Sequence, residues 1–229
     1  MLTLGIETSG RGGEVALLRG DELLGSRSLS AAGRRHAQTL VSEMAGLWGD
    51  AGIGPAELEA VAVSIGPGSF TGLRVGVVCA KTLAYAVRRP LAAVDTFLAV
   101  AAQSPAGIDR VQVISDAQRG ELYLGRYERR ADGWERFGDV RIVDGGSWRA
   151  SLAADDAVSG PGVAKHLAQL AGRCRIVNEE SREPRAETVA RLGQAAIRAG
   201  RTADPAALEP FYLRRSAAEE KRDSPPVAP

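Results

Sequence analysis

His36 and His166 are the only imidazoles in this 229-residue chain. Metal-dependent hydrolysis needs converging His, Cys, Asp or Glu ligands, commonly two histidines one helical turn apart. These two lie far apart in sequence, each without a partner at ligand spacing, so no metal site is expected. A cysteine nucleophile would need a histidine beside its thiol. Cys79 instead sits between Val78 and Ala80, where a small buried hydrophobe is the expected role, and Cys174 precedes a short apolar run. No serine lies in a Gly-x-Ser-x-Gly elbow. Two carboxylates hold more suggestive places. Glu7 closes an apolar first segment where a nucleotide-binding protein would hold a hydrated cation, although Glu is one methylene longer than Asp and Arg11 follows where a phosphate turn would stand. Asp116 opens the turn Asp116-Ala117-Gln118-Arg119-Gly120, which reads either as a phosphate hairpin or as a plain turn whose Asp accepts from nearby backbone N–H groups. Glu7 and Asp116 are together a candidate vestigial nucleotide site.

The densest glycine stretch offers a third chemistry. Val61, Val63 and Ile65 alternate with small residues as a buried strand, Gly66-Pro67-Gly68 stops it, and Ser69 is placed to cap a helix in which Leu73, Val77, Ala80, Ala84 and Val87 recur at helical spacing. The unpaired N–H groups at such a helix start favour an anion. Gly66, Gly68, Ser69, Phe70, Thr71 and Gly72 therefore form a candidate anion-binding turn. It is not a Walker loop, because Leu73-Arg74 follows Gly72 in place of Lys-Ser/Thr. Nor does the glycine spacing match Gly-x-Gly-x-x-Gly. A tight structural turn stays open beside the phosphate cradle.

The remaining elements must position these groups. Residues 2–8, 14–18 and 23–29 read as a three-stranded meander with turns at Gly12-Gly13 and Gly20-Asp21. From Arg34 to Trp48 the period changes, and Leu40, Val41, Met44, Leu47 and Trp48 fall on one helical face. After the glycine segment come a short strand at 90–94 and a small helix at 96–103. The second half opens with strands at 111–115, 121–127 and 134–143, then weaker signals for strands at 157–159 and 175–177 and helices at 163–170 and 188–199. Meander then helix occurs twice, with no visible repeat in the residues themselves, which matches the duplicated lobes of actin-like ATPases. Residues 216–229 are polar and end in Ser-Pro-Pro-Val-Ala-Pro, the composition of a disordered tail.

Twenty-nine basic and twenty-eight acidic residues leave a net charge of +1, which argues against a broad basic surface gripping nucleic acid, though not against a local patch. Two cysteines without framework spacing fit a reducing compartment. The opening residues lack a signal-peptide pattern and no apolar run is expected to reach bilayer length, since Arg74 and Lys81 interrupt residues 73–87. A cytoplasmic protein with no membrane segment is expected. The helix after the glycine turn carries small and apolar side chains on more than one side, so a second contact surface, facing a partner, is expected there.

Ser64-Ile65-Gly66-Pro67-Gly68-Ser69-Phe70-Thr71-Gly72-Leu73-Arg74-Val75-Gly76 closely resembles the signature of the bacterial tRNA threonylcarbamoyladenosine biosynthesis family TsaB, relatives of the catalytic subunit TsaD. Leu4-Gly5-Ile6-Glu7-Thr8-Ser9 is similar to the family's opening Ile-Asp-Thr-Ser, with Glu for Asp. Arg35-His36 before Leu40 resembles its first helix start. Residues 116–123 resemble its Asp-Ala-Arg-x-Gly-Glu-Val-Tyr, and Pro210-Phe211-Tyr212-Leu213-Arg214 its Pro-x-Tyr-Leu-Arg. Residues 144–208 carry no such likeness. The resemblance implies a two-lobed actin-like α/β fold with mixed sheets flanked by helices, and a non-catalytic subunit that pairs with TsaD through the first two helices of each protein. The ATPase TsaE would join them, and tRNA would be met through the complex. TsaD holds metal on a His-x-x-x-His helix, whereas the equivalent stretch here, residues 94–103, contains no histidine.

The resulting expectations are lobes at 1–105 and 106–215, and a partner-binding set of His36, Leu40, Met44, Leu73, Arg74, Val77 and Lys81. No intrinsic cofactor is expected, nucleotide being considered only at the partner interface, and in isolation the same helices are expected to support a homodimer. The rivals are a small actin-like kinase or ATPase using Glu7, Asp116 and the glycine turn, and a metalloprotease.

Overall fold

Alternation in the first strand decides how the molecule is layered. The computed structural model describes residues 1–10, 12–29 and 36–214, with the backbone alone at 36–38. In β1 (Leu2–Glu7), Leu2, Leu4 and Ile6 point to one side of a sheet, and Thr3, Gly5 and Glu7 to the other. β1 pairs antiparallel with β2 (Glu14–Arg19), which pairs with β3 (Glu22–Ser28). On its other edge β1 pairs parallel with β4 (Ala60–Gly66), and β4 with β5 (Leu91–Asp95), giving the order β3-β2-β1-β4-β5.

The helices α1 (His36–Ala51) and α2 (Phe70–Val87) cover the side carrying Leu4, Ile6, Val15, Leu17, Val61 and Val63, and their own Leu40, Met44, Leu47, Val77, Ala80 and Ala84 complete that core. The opposite side is closed by α6 (Ala186–Arg198), which lies across β1, β2, β4 and β5. Small residues allow this close seat. A Cβ at Gly5 would lie 2.2 Å from the Ala186 carbonyl oxygen, and one at Gly193 2.3 Å from the Ala62 Cβ. Glu14 accepts from the Ala186 N–H at 2.8 Å and so caps the helix start.

The second sheet repeats the plan. β6 (Arg110–Gln118) and β7 (Glu121–Arg130) form a hairpin whose turn residues Arg119 and Gly120 both have positive φ. β8 (Gly133–Arg136) and β9 (Arg141–Asp144) then run along the free edge of β7. The single strand expected at 134–143 is thus one broken edge strand, interrupted where Gly138 takes φ 79°. After α4 (Gly145–Ala150), β10 (Ala157–Ser159) joins β6 in parallel, α5 (Val163–Leu170) follows, and β11 (Arg175–Ile176) pairs with β10.

Both lobes therefore place a meander first and parallel strands after it, as an actin-like fold does. The residues do repeat once. Gly66-Pro67-Gly68 follows β4, the parallel neighbour of β1, and Gly160-Pro161-Gly162 follows β10, the parallel neighbour of β6. Gly66 and Gly160 have φ of 119° and 103°, and a Cβ on either would strike a backbone oxygen, of Phe211 and Ile114 respectively.

A division at residue 105 follows the chain more closely than the packing, because α6 returns to the first sheet. Between the lobes, α3 (Thr96–Ala102) packs against β6 and β8. Its cap, Asp95, accepts from the Phe97 and Leu98 N–H groups and, at 2.8 Å, from the Tyr127 hydroxyl of β7, with Arg136 of β8 at 3.6 Å. Burial nevertheless pushes the Asp95 carboxyl above its ordinary value. The expected disordered tail at 216–229, Arg11, Arg35 and the His36 side chain lie outside the described residues.

Candidate functional site

The outward side of α1 and α2 differs from the one expected. Leu40, Met44, Leu73 and Val77 are each at most 4% exposed and point into the core of their own lobe, so they offer nothing to a partner. The reason is phase: each helix has one stripe for the sheet, and the larger, more regular apolar stripe took that place. Arg74 and Lys81 are engaged within the chain. Arg74 Nε donates to the Tyr212 hydroxyl at 3.0 Å and its guanidinium stacks on Phe70, itself 4.7 Å from the Tyr212 ring. Lys81 donates to the carbonyls of Ala206 and Leu208. With Phe211 N–H donating to the Ile65 carbonyl at 2.7 Å and Arg214 donating to the Ala117 carbonyl, the segment after α6 is strapped from α2 to the second lobe.

What faces outward is Val41 on α1, and Val78 and Tyr85 on α2, at 68%, 62% and 80% exposure. On α2, Thr71, Val75, Val78, Thr82 and Tyr85 succeed one another at alternating steps of four and three, the repeat of a coiled-coil seam. This surface also makes α2 long and apolar enough to cross a membrane by length and composition, against the expectation for residues 73–87, with mean hydropathy 1.3. Its inward stripe is seated on the first sheet, and Arg74 and Lys81 are tied to the C-terminal strap.

The glycine turn is used for packing. A Cβ at Gly68 would lie 2.5 Å from the Ser9 Cβ, one at Gly72 2.0 Å from the Thr8 carbonyl oxygen, and one at Gly76 2.1 Å from Thr8 Oγ1. Ser69 accepts from the Gly72 N–H at 3.3 Å, and its own N–H donates to the Ser9 carbonyl at 2.8 Å. Gly68 in the turn and Gly72 and Gly76 on one face of the helix thus let α2 lie directly against the end of β1. Phe70 is occupied by Arg74 and Tyr212, while Thr71 is exposed at the start of the outward seam.

The two candidate nucleotide carboxylates are engaged separately, each by its own lobe. Glu7 is buried, and its Oε1 accepts from the Ser9 N–H, the Ser9 hydroxyl and the Gly10 N–H. Its Oε2 is buried without a hydrogen-bond partner among the described residues. Burial pushes the Glu7 carboxyl up, against the pull of these donors. Asp116 accepts from the Gln118 N–H at 3.0 Å and pairs with Lys165, whose hydrogen bond holds it below the usual carboxylate range.

Glu7 gives a signed pH prediction. A carboxyl with a raised folded pKa binds its proton more tightly in the folded state, so its contribution to stability is complete below the unfolded value and is lost as pH rises through the folded one. Glu7→Gln keeps the Oε1 acceptor without the charge. It is expected to be at least as stable as the parent at pH 7, with an advantage that shrinks as pH falls toward 4.5. Denaturant melts across that range check this; an advantage that grows on acidification contradicts it.

Among the described residues no three His, Cys, Asp or Glu side chains converge as a metal site, and α3 presents Phe97, Ala99, Val100 and Ala101 to the core. The family model of TsaD, tRNA N6-adenosine threonylcarbamoyltransferase, matches residues 30–140. The tRNA threonylcarbamoyladenosine biosynthesis protein TsaB of Bacillus subtilis is 29% identical over 228 residues, 96% of this chain and 97% of that one. The chain is thus similar to a TsaB protein along nearly its whole length. Its likeness to the Escherichia coli TsaB is 33% over 102 residues, 44% of each chain. An uncharacterized protein of Mycobacterium tuberculosis is 33% identical over 219 residues, 93% of this chain and 91% of that one. The solved structure of YeaZ from Pseudomonas aeruginosa superposes with a TM-score of 0.77 at 28% identity, covering 93% of this chain and 99% of that one. In this chain the outward Val41, Val78 and Tyr85 went unrecognised in the sequence, although the four-three spacing on α2 is a signal that could have found Val78 and Tyr85.

Proposed function

We propose that this chain is a non-catalytic subunit of tRNA threonylcarbamoyladenosine biosynthesis, working in the cytoplasm. It pairs with a TsaD-like catalytic subunit through the outward side of α1 and α2, with Val41, Val78 and Tyr85 as the apolar anchors. A TsaE-like ATPase joins this pair, and tRNA is bound by the assembly. In the absence of the catalytic subunit the same surface joins two copies of this chain about a two-fold axis.

The observation that carries this proposal is the exposed seam on α2. Large apolar side chains standing together outside a completed core are the mark of a surface that another protein covers. The engaged states of Glu7 and Asp116 favour it over an independent ATPase. Reconstitution with TsaD-like and TsaE-like subunits is the test. Threonylcarbamoyladenosine in tRNA is expected only when all three proteins are present, and full modification without this chain would refute the proposal.

A further inference from the structure

The C-terminal lobe holds a groove of about 410 Å³ between α4 and α5. Gly146, Arg149 and Ala150 form one wall, Ala168 and Gln169 the other, and Arg173 stands just beyond α5. Both charged residues of the lining are cations, and no carboxylate lines it. Some other arginines of this chain are held by carboxylates: Arg27 pairs with Glu43 and Asp50, Arg130 with Glu128, and Arg191 with Glu187. Arg149 and Arg173 have no ion-pair partner among the described residues. The carboxylate nearest in effect to Arg149 is Asp144, which is already committed to the Ser147 N–H and hydroxyl at 2.7 and 2.8 Å.

Arg149 is also held in place. Its Nη1 lies 3.2 Å from His166 Nδ1, which also faces the Gln169 side-chain amide at 3.1 Å; with the imidazole proton on Nε2, Nδ1 accepts from Arg149 and the Gln169 amide turns its NH2 toward the ring. One edge of the guanidinium is thereby fixed on α5 while the rest is left to the groove. Two arginines without a carboxylate partner among the described residues, one of them pre-oriented, above a floor of Gly and Ala that keeps no bulky side chain in the way, suit tetrahedral oxyanions that accept N–H donors.

We infer that this groove binds the phosphodiester backbone of an RNA, each arginine meeting one phosphate. The choice of RNA rests on the function proposed above, since the complex must hold a tRNA. The near-neutral total charge means that such contact comes from a local patch.

The test uses the full-length chain paired with its TsaD-like subunit and fluorescently labelled unmodified tRNA, with anisotropy read from 50 to 200 mM KCl. Arg149→Ala/Arg173→Ala is compared with Arg19→Ala/Arg201→Ala, two exposed arginines of the other lobe. The groove variant is expected to bind on the order of ten-fold more weakly and to lower the slope of log affinity against log salt by about two, one for each phosphate contact. Arg149→Lys/Arg173→Lys should recover most of that slope, and the single change Arg173→Ala, on an exposed loop, should lower it by about one. Inorganic phosphate at tens of millimolar should compete with tRNA in the parent and not in the groove variant. Equal affinities and slopes for the two double variants, in a complex that still assembles, overturn the groove and leave the proposed function standing. Failure of the parent chain to pair at all overturns both.

Discussion

Val77→Asp is expected to destabilise the fold severely. Val77 is 2% exposed, in the core that α2 shares with β1 and β4. Among the described residues a carboxylate there would lie in an apolar cluster, and an unpaired buried charge costs about 3–5 kcal/mol, much of the 5–15 kcal/mol that holds an ordinary domain together. Its neighbour behaves differently. Val78 is 62% exposed, so Val78→Asp is expected to cost less than about 1 kcal/mol. Urea melts of the two variants separate the cases; a cooperative, parent-like transition for Val77→Asp would show that α2 is rotated from the position described.

Gly72→Ala is the second large effect, and its sign is decided by two opposing magnitudes. Alanine is the better helix former by about 1 kcal/mol. Its Cβ, however, would meet the Thr8 carbonyl oxygen at 2.0 Å, a backbone atom that cannot turn aside. Relieving that contact means lifting α2 from β1, and because a backbone atom is struck the cost is set at the upper end of the about 1–3 kcal/mol of overpacking, which less the helix gain leaves a net loss of about 2 kcal/mol. For a chain of this size that lowers Tm by about 4–8 °C. Gly49→Ala is the control: it lies on the exposed side of α1 with nothing within 4 Å of the added methyl. A gain of up to about 1 kcal/mol is expected there. Calorimetric melts in which Gly72→Ala matches Gly49→Ala would refute the close seating of α2.

These pairs of residues show what the sequence disclosed. The β4–turn–α2 unit, the Asp116 turn and the opening meander were legible because strand alternation, glycine punctuation and helical spacing are local signals. The rotational phase of α1 and α2 was not. Apolar residues occur on both sides of α2, Leu73, Val77 and Ala84 on one and Val78 and Tyr85 on the other, with Val75 half-buried between them. Which side meets the sheet depends on shape complementarity with strands elsewhere in the chain. The bonds of Arg74 and Lys81 to the C-terminal strap were hidden for a similar reason, since their acceptors lie 138 and 127 residues away. The return of α6 to the first sheet was equally hidden, although Gly5, Ala16, Ala62 and Ala92 facing Ala186, Ala190 and Gly193 explain it once the two are together. The glycine signature was read correctly as a turn before a helix, and what it meets is the Thr8-Ser9 backbone.

The outward seam of α1 and α2 as the grip on a catalytic partner is most directly tested by titrating the TsaD-like subunit with the parent chain and with Val78→Asp in a calorimeter, after confirming that both are folded. A charge set into the seam should weaken pairing by about 2 kcal/mol or more, roughly thirty-fold. Unchanged affinity for the folded Val78→Asp protein would place the partner elsewhere and contradict the account.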